Sequence, residues 1–300
     1  MRSKLLLLSA VAALAATSAS AADVVKGKKK AAPAPVVVVS PWEWTVGGGL
    51  TTNYVFRGIT QSDNKASVNA NAEIRYNFND TFTGYLGTAG SSVKLTAGDI
   101  YASPSLEWDV MGGVRGTFGA FGVDAGAVGY IYPSFTTDAG GPFPTNPTWW
   151  EGYVKTTYAI NDMVTVGANG FVTPSYLNTG ASAQYLAGTV AVKLPMDFAF
   201  SGELGRQFIG TTDGAHGKVN LPDYTYWNAG LAYSYKIATL DLRYHDSNLS
   251  KAQCSALTWS TTSKYCNAAY VATLSFALTN KDVKYSSRPC RVLKNQAPAA

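Results

Sequence analysis

From Trp42 onward apolar and polar residues alternate with a period of two, which sends successive side chains to opposite faces of an extended strand. In the first such segment Trp42, Trp44, Val46, Leu50, Tyr54 and Phe56 share one face, and Glu43, Thr45, Asn53 and Arg57 lie on the other. The pattern recurs where Val68, Ala70, Ala72, Ile74, Tyr76 and Phe78 oppose Asn69, Asn71, Glu73, Arg75 and Asn77, and again over Ile100 to Val110 and Trp227 to Tyr235.

This alternation predicts twelve strands, at 43–57, 66–78, 81–92, 100–115, 121–132, 148–159, 163–173, 183–195, 198–208, 224–236, 239–246 and 267–278. Short turns (79–80, 116–120, 160–162, 196–197, 237–238) alternate with longer segments (58–65, 93–99, 133–147, 174–182, 209–223, 247–266). An even number of long strands joined in this way is the pattern of a transmembrane, up-and-down antiparallel β-barrel with short periplasmic turns and longer extracellular loops. A soluble β-sandwich also alternates, but it gives no reason for the strict short/long rhythm or for aromatic strand ends. A closed barrel also leaves no strand edge, which lipid requires.

Charge placement fixes which face looks outward. A lysine or arginine on the lipid face at the bilayer midplane costs roughly 2–4 kcal/mol, and sliding the second strand by one residue would put Glu73 and Arg75 there. In the chosen register Arg206, near a strand end, is the charge noted on the apolar faces. The polar faces then line a lumen with eight acids (Glu43, Glu73, Glu107, Asp109, Asp124, Glu151, Glu203, Asp241) against six bases (Arg57, Arg75, Arg115, Lys155, Lys193, Arg243). Mixed charge of this kind hydrates a channel and sorts solutes by charge and size. It also suits pairs that merely satisfy one another in a narrow bore. The stretch Asn53–Asn64 reads as the exit of the first strand: Tyr54 and Phe56 at the interfacial girdle, Arg57 at the external mouth of the lumen, and the first external loop following.

The ends of the chain carry a different character. Residues 1–21 have Arg2 and Lys4, an apolar run from Leu5 to Ala16 and Ala19-Ser20-Ala21, the form of a cleavable export signal. Residues 22–41 form a Lys/Ala/Pro linker, 42–278 the barrel, and 279–300 a basic tail beyond the expected closing strand. The net charge of +5 resides in these ends, because Trp42–Leu278 holds 13 bases and 17 acids. Nucleic-acid binding is therefore not implied. The partners implied are membrane lipid, the barrel-insertion machinery acting on the strand that ends at Leu278, and small hydrophilic solutes. The apolar exterior suits lipid or a second subunit equally.

Catalytic chemistry finds little support. The chain has two histidines. A Ser247/His245/Asp241 relay can be drawn along one strand, but sequence proximity is weak evidence for it, and His216 falls in a predicted loop. No His/Cys/Asp cluster has metal-ligand spacing, and no cofactor is implied. Cys254 and Cys266 share the last long loop, where an oxidising compartment favours a disulfide worth on the order of 3 kcal/mol. Cys290 is left over.

The signal sequence, the segment Leu50-Thr51-Thr52-Asn53-Tyr54-Val55-Phe56-Arg57-Gly58-Ile59-Thr60-Gln61-Ser62 and the late cysteine pair before a closing strand resemble the TorF family of outer-membrane porins. The Tyr-x-Phe-Arg-Gly-x-x-Gln core is the specific part, and the remainder matches in organisation over roughly 42–278. The resemblance implies a passive outer-membrane channel and supplies no catalytic residues. The alternative is a non-conducting structural or adhesive barrel acting through its loops.

Overall fold

The computed structural model describes residues 40–95, 104–133, 146–213, 217–258, 260 and 263–283. The expected signal, most of the linker, residues 100–103 of the fourth predicted strand, His216, Cys290 and the tail beyond Val283 lie outside these residues. The elements are β1 (Trp42–Thr51), β2 (Val55–Phe56), β3 (Ile59–Thr60), β4 (Ser67–Asn77), β5 (Phe82–Ser92), β6 (Leu106–Phe118) and β7 (Phe121–Ile131). They continue with β8 (Trp149–Ala159), β9 (Val164–Thr173), β10 (Ala183–Lys193), β11 (Phe198–Ile209), β12 (Tyr224–Tyr235), β13 (Ala238–Ser247), α1 (Lys251–Thr258) and β14 (Ala269–Thr279).

Twelve of these strands close into one antiparallel barrel in the order β1-β14-β13-β12-β11-β10-β9-β8-β7-β6-β5-β4. Every neighbour in the ring except the seam follows its neighbour along the chain. At the seam, β1 pairs with β14 from Thr45↔Thr279 to Thr51↔Thr273. Asparagine side chains organise the short connections. Asn79 Oδ1 accepts from the backbone N–H of Thr81 and Phe82, and Asn161 Oδ1 does the same for Met163 and Val164, each at 2.8 Å.

The exterior is apolar along its height, with Val46, Ile74, Leu86, Val114, Val154, Leu204, Leu242 and Leu274 all exposed. Aromatic rings crowd the turn end, where Trp42–Tyr76, Tyr76–Phe78, Phe82–Phe118 and Phe198–Tyr233 pack with centroids 4.8–5.7 Å apart. At the loop end Trp108, Trp150 and Tyr270 face outward. A belt of this kind matches a bilayer, with aromatics at its two interfaces. The barrel is an outer-membrane type of span. Two outward charges lie near the loop end: Arg206 donates to Thr225 Oγ1 at 3.3 Å, and Asp246 accepts from the Tyr244 hydroxyl at 2.7 Å.

The twelve wall strands follow the expected alternation and facing. The difference lies in the first one. β1 stops at Thr51, and Tyr54 to Lys65 do not continue the wall. The chain instead turns into the bore as a separate two-stranded hairpin, β2–β3, so Tyr54 and Phe56 are interior groups rather than an interfacial girdle.

Candidate functional site: the barrel interior

The inward hairpin turns at Arg57-Gly58, with φ of 45° and 84°. Two positive φ values at the centre of a two-residue connection are those of a primed hairpin turn, where glycine is at ease and arginine is strained. That strain, of order 1–3 kcal/mol, is offset by what the arginine reaches. Arg57 Nη1 and Nη2 donate to Glu151 Oε1 and Oε2 at 2.9 and 2.8 Å, and Nη1 also donates to Gln207 Oε1 at 3.0 Å. The guanidinium lies 4.7, 4.8 and 4.3 Å from the ring centres of Phe56, Phe171 and Tyr185. Glu151 and Gln207 are 1% and 0% exposed, so the fork is sealed from water on all sides.

Polar side chains tie the base of the hairpin. Asn53 Oδ1 accepts from the hydroxyls of Thr60 at 2.5 Å and Ser62 at 3.1 Å, and Ser62 Oγ accepts from the backbone N–H of Tyr54 at 2.9 Å. Above it, Asp63 lies 3.1, 3.3 and 3.6 Å from the amines of Lys264, Lys65 and Lys94, joining the hairpin to two other loop segments. Lys264 precedes Cys266, whose disulfide to Cys254 closes the α1 loop as expected.

Burial alone would raise the Asp63 pKa, but its hydrogen bonds with Lys264 and Lys65 hold it below the ordinary carboxylate value. A carboxylate with a depressed folded pKa contributes stability that is present above its unfolded pKa and lost as pH falls through the folded one. Hydrogen exchange of residues 53–65, taken relative to the intrinsic rate at each pH, is therefore expected to be flat from pH 8 to 5 and to accelerate below about pH 4. Asp63→Asn should exchange faster throughout and lose the acid step. Acceleration of the wild type already above pH 5 would contradict the assignment.

Towards the turn end the interior is wetter and carries a second network. Glu73 accepts two hydrogen bonds from Arg115, at 2.9 and 2.7 Å, and is in direct contact with Arg75. Arg75 also donates to Thr45 Oγ1 at 2.8 Å and lies 3.7 Å from Glu43, which in turn pairs with Lys281 at 2.8 Å. Arg115 Nε reaches Asp124 at 3.2 Å, and Asp124 accepts from Tyr85 at 2.7 Å. Gly113 and Gly126 leave the space that the Tyr85 and Tyr153 hydroxyls occupy, each 2.8 Å from where a β-carbon would stand. On the opposite wall Arg243 grips Asp241 at 3.1 and 2.9 Å and also donates to Asn228 and Ser201, while Glu203 accepts from Tyr185 at 2.5 Å. Lys155 sits 4.5 and 5.2 Å from the rings of Tyr153 and Phe171, and Lys193 is exposed at the turn-end mouth.

Of the charged residues expected in the lumen, all but Lys193 are at least partly buried. The relay drawn through Ser247, His245 and Asp241 is not assembled: Asp241 is held by Arg243, and His245 Nδ1 faces the Tyr226 hydroxyl at 3.0 Å. Alternation did not reveal the tyrosines that pack between the charges. Tyr85, Tyr130, Tyr153, Tyr185, Tyr224 and Tyr226 are all buried, although their place on the inward face of their strands was a signal that could have found them.

Among solved structures, three similar ones are outer-membrane proteins. An outer membrane channel from Pseudomonas putida F1 shares 10% identity, covers 86% of this chain and 100% of its own, and superposes with a TM-score of 0.48. The KdgM porin shares 10% identity over 78% and 98% of the two chains with a TM-score of 0.43, and the Pseudomonas putida toluene transporter TodX shares 12% over 80% and 88% with 0.42. Among curated protein sequences none matches the chain. A family model described as a bacterial protein of unknown function, Gcw_chp, matches residues 37–280, the whole barrel from its first strand to its last, and the chain belongs to that family.

Proposed function

We propose that the protein is a porin-like channel of the Gram-negative outer membrane, of the TorF type, passing small hydrophilic solutes or ions by passive diffusion. The observation that carries this reading is the composition of the closure. The wall strands enclose a polar, charged bore, and the element that blocks its loop end is a hairpin outside the barrel's hydrogen-bonded ring. A permanently solid barrel has no need of a separate plug docked on the wall through Arg57 and Tyr54. The turn-end half, with Glu43, Glu73, Arg75, Arg115, Asp124 and Lys193, forms the periplasmic vestibule. The Arg57–Glu151–Gln207 clamp forms the extracellular constriction. Export by the signal at 1–21, the periplasmic linker at 22–41 and recognition of β14 by the insertion machinery belong to the same reading.

Purified protein in a planar bilayer is expected to sit closed for long periods and to open in discrete ohmic steps. Their reversal potential in a salt gradient reports the net sign of the lumen. Absence of conductance at any voltage, with surface binding that depends on the loops, would favour a structural or adhesive barrel instead.

A further inference from the structure

Beyond the constriction, on the loop side, lies a cavity of about 80 Å³ between the hairpin, the wall and the last loop. One water needs about 10–15 Å³ of such space, so the cavity admits a larger group. Together with aliphatic and polar neighbours, six aromatic residues line it: Phe56, Tyr130, Tyr132, Trp149, Tyr176 and Tyr265. They are locked by mutual packing, with Tyr130 stacked on Trp149 at 4.6 Å and Tyr176 edge-on to Trp149 at 5.0 Å. Tyr130 and Trp149 cover one face of each other, and a ring face left free in such a cluster attracts a cation.

The charge beside the cavity has the matching sign. Glu107 lines it, with Tyr54 and Tyr132 each donating to one of its carboxylate oxygens at 2.5 Å. Two residues along the same strand face, Asp109 is 2% exposed and its Oδ1 has no hydrogen-bond partner. No ion pair to either carboxyl group occurs among the described residues: Arg57 pairs with Glu151, Arg115 with Glu73 and Asp124, Arg243 with Asp241, and Lys155 lies against the Tyr153 and Phe171 rings. Two adjacent buried carboxyl groups are costly to ionise without a cation and otherwise hold protons. A bound cation would relieve that cost. Among the described residues no group of three or more His, Cys, Asp or Glu could hold a metal ion.

We propose that this cavity binds a small organic cation, an alkylammonium group seated against the aromatic side chains with its charge towards Glu107; Asp109, two residues further along the same strand, lies outside the lining. The site is defined by binding and not by passage, so a barrel that never conducts can still possess it.

Isothermal titration of the folded protein in detergent with choline, and with its uncharged isostere 3,3-dimethyl-1-butanol, tests this directly. Choline should bind saturably, the alcohol should bind at least about ten-fold more weakly, and Glu107→Gln should weaken choline by a similar factor. Heat-modifiable migration on gels verifies that the variant folds; if it does not, the comparison of the two ligands on the wild type decides alone. Equal binding of the two ligands, no saturable binding of choline, or unchanged affinity in a folded Glu107→Gln protein would overturn the proposal.

Discussion

Arg57→Ala is expected to give a channel that is open for most of the time. The substitution leaves Glu151 as a buried carboxylate without its fork, and breaking such a pair by removing one partner costs about 3–5 kcal/mol. Because Arg57 sits on the hairpin and Glu151 on β8, that cost falls on docking of the hairpin rather than on the wall. A shift of about 3 kcal/mol alters the docked-to-undocked ratio more than 100-fold. Single-channel records should therefore show long open dwells, and Arg57→Ala/Glu151→Gln should lose less stability than the single variant because no bare charge remains. An unchanged open probability together with a lowered unfolding midpoint would make the clamp purely structural.

The second large effect is expected at Glu73. Glu73→Gln removes the carboxylate shared by Arg115 and Arg75 and leaves Arg115 with Asp124 alone and Arg75 with the more distant Glu43. The side chains of this trio are 16–17% exposed, so water softens the loss to about 2–3 kcal/mol, below the fully buried case. The vestibule also gains one positive charge, and the reversal potential should move towards anion preference. Glu43→Gln serves as the contrast. Its partners are the more distant Arg75 and the well-exposed Lys281, so it should cost less than about 1 kcal/mol. Equal losses at the two positions would show that the network does not act as drawn.

The wall was legible because its physics is local. Lipid outside and polar groups inside impose a two-residue alternation on every strand, so the facing of Glu73, Arg115, Glu151 and Asp241 follows from their neighbours alone. The hairpin was not legible by that rule. Tyr54-Val55-Phe56 keeps the same alternation after the wall has ended, and the period says nothing about whether the apolar face meets lipid or the Tyr130 ring. The available signal was the glycine of Arg57-Gly58 between Val55-Phe56 and Ile59-Thr60, a tight-turn composition. The partners of Arg57 are 94 and 150 residues away in sequence, and no local pattern could supply them. The cysteine pair was legible because its span of 12 residues lies within one loop.

The seam between β1 and β14 bears on the order of assembly. Thr51 and Thr273, whose hydroxyls meet there, are 222 positions apart, so the ring can close only after the whole wall exists. An unclosed edge has no partner in lipid. The hairpin follows β1 directly, near the start of the chain, and its arginine partners lie on strands placed much later. Its docking is therefore complete only once β8 and β11 both stand in the wall. The plug is thus made early and seated late: the arginine of the first segment after β1 meets Gln207 only 150 residues later along the chain.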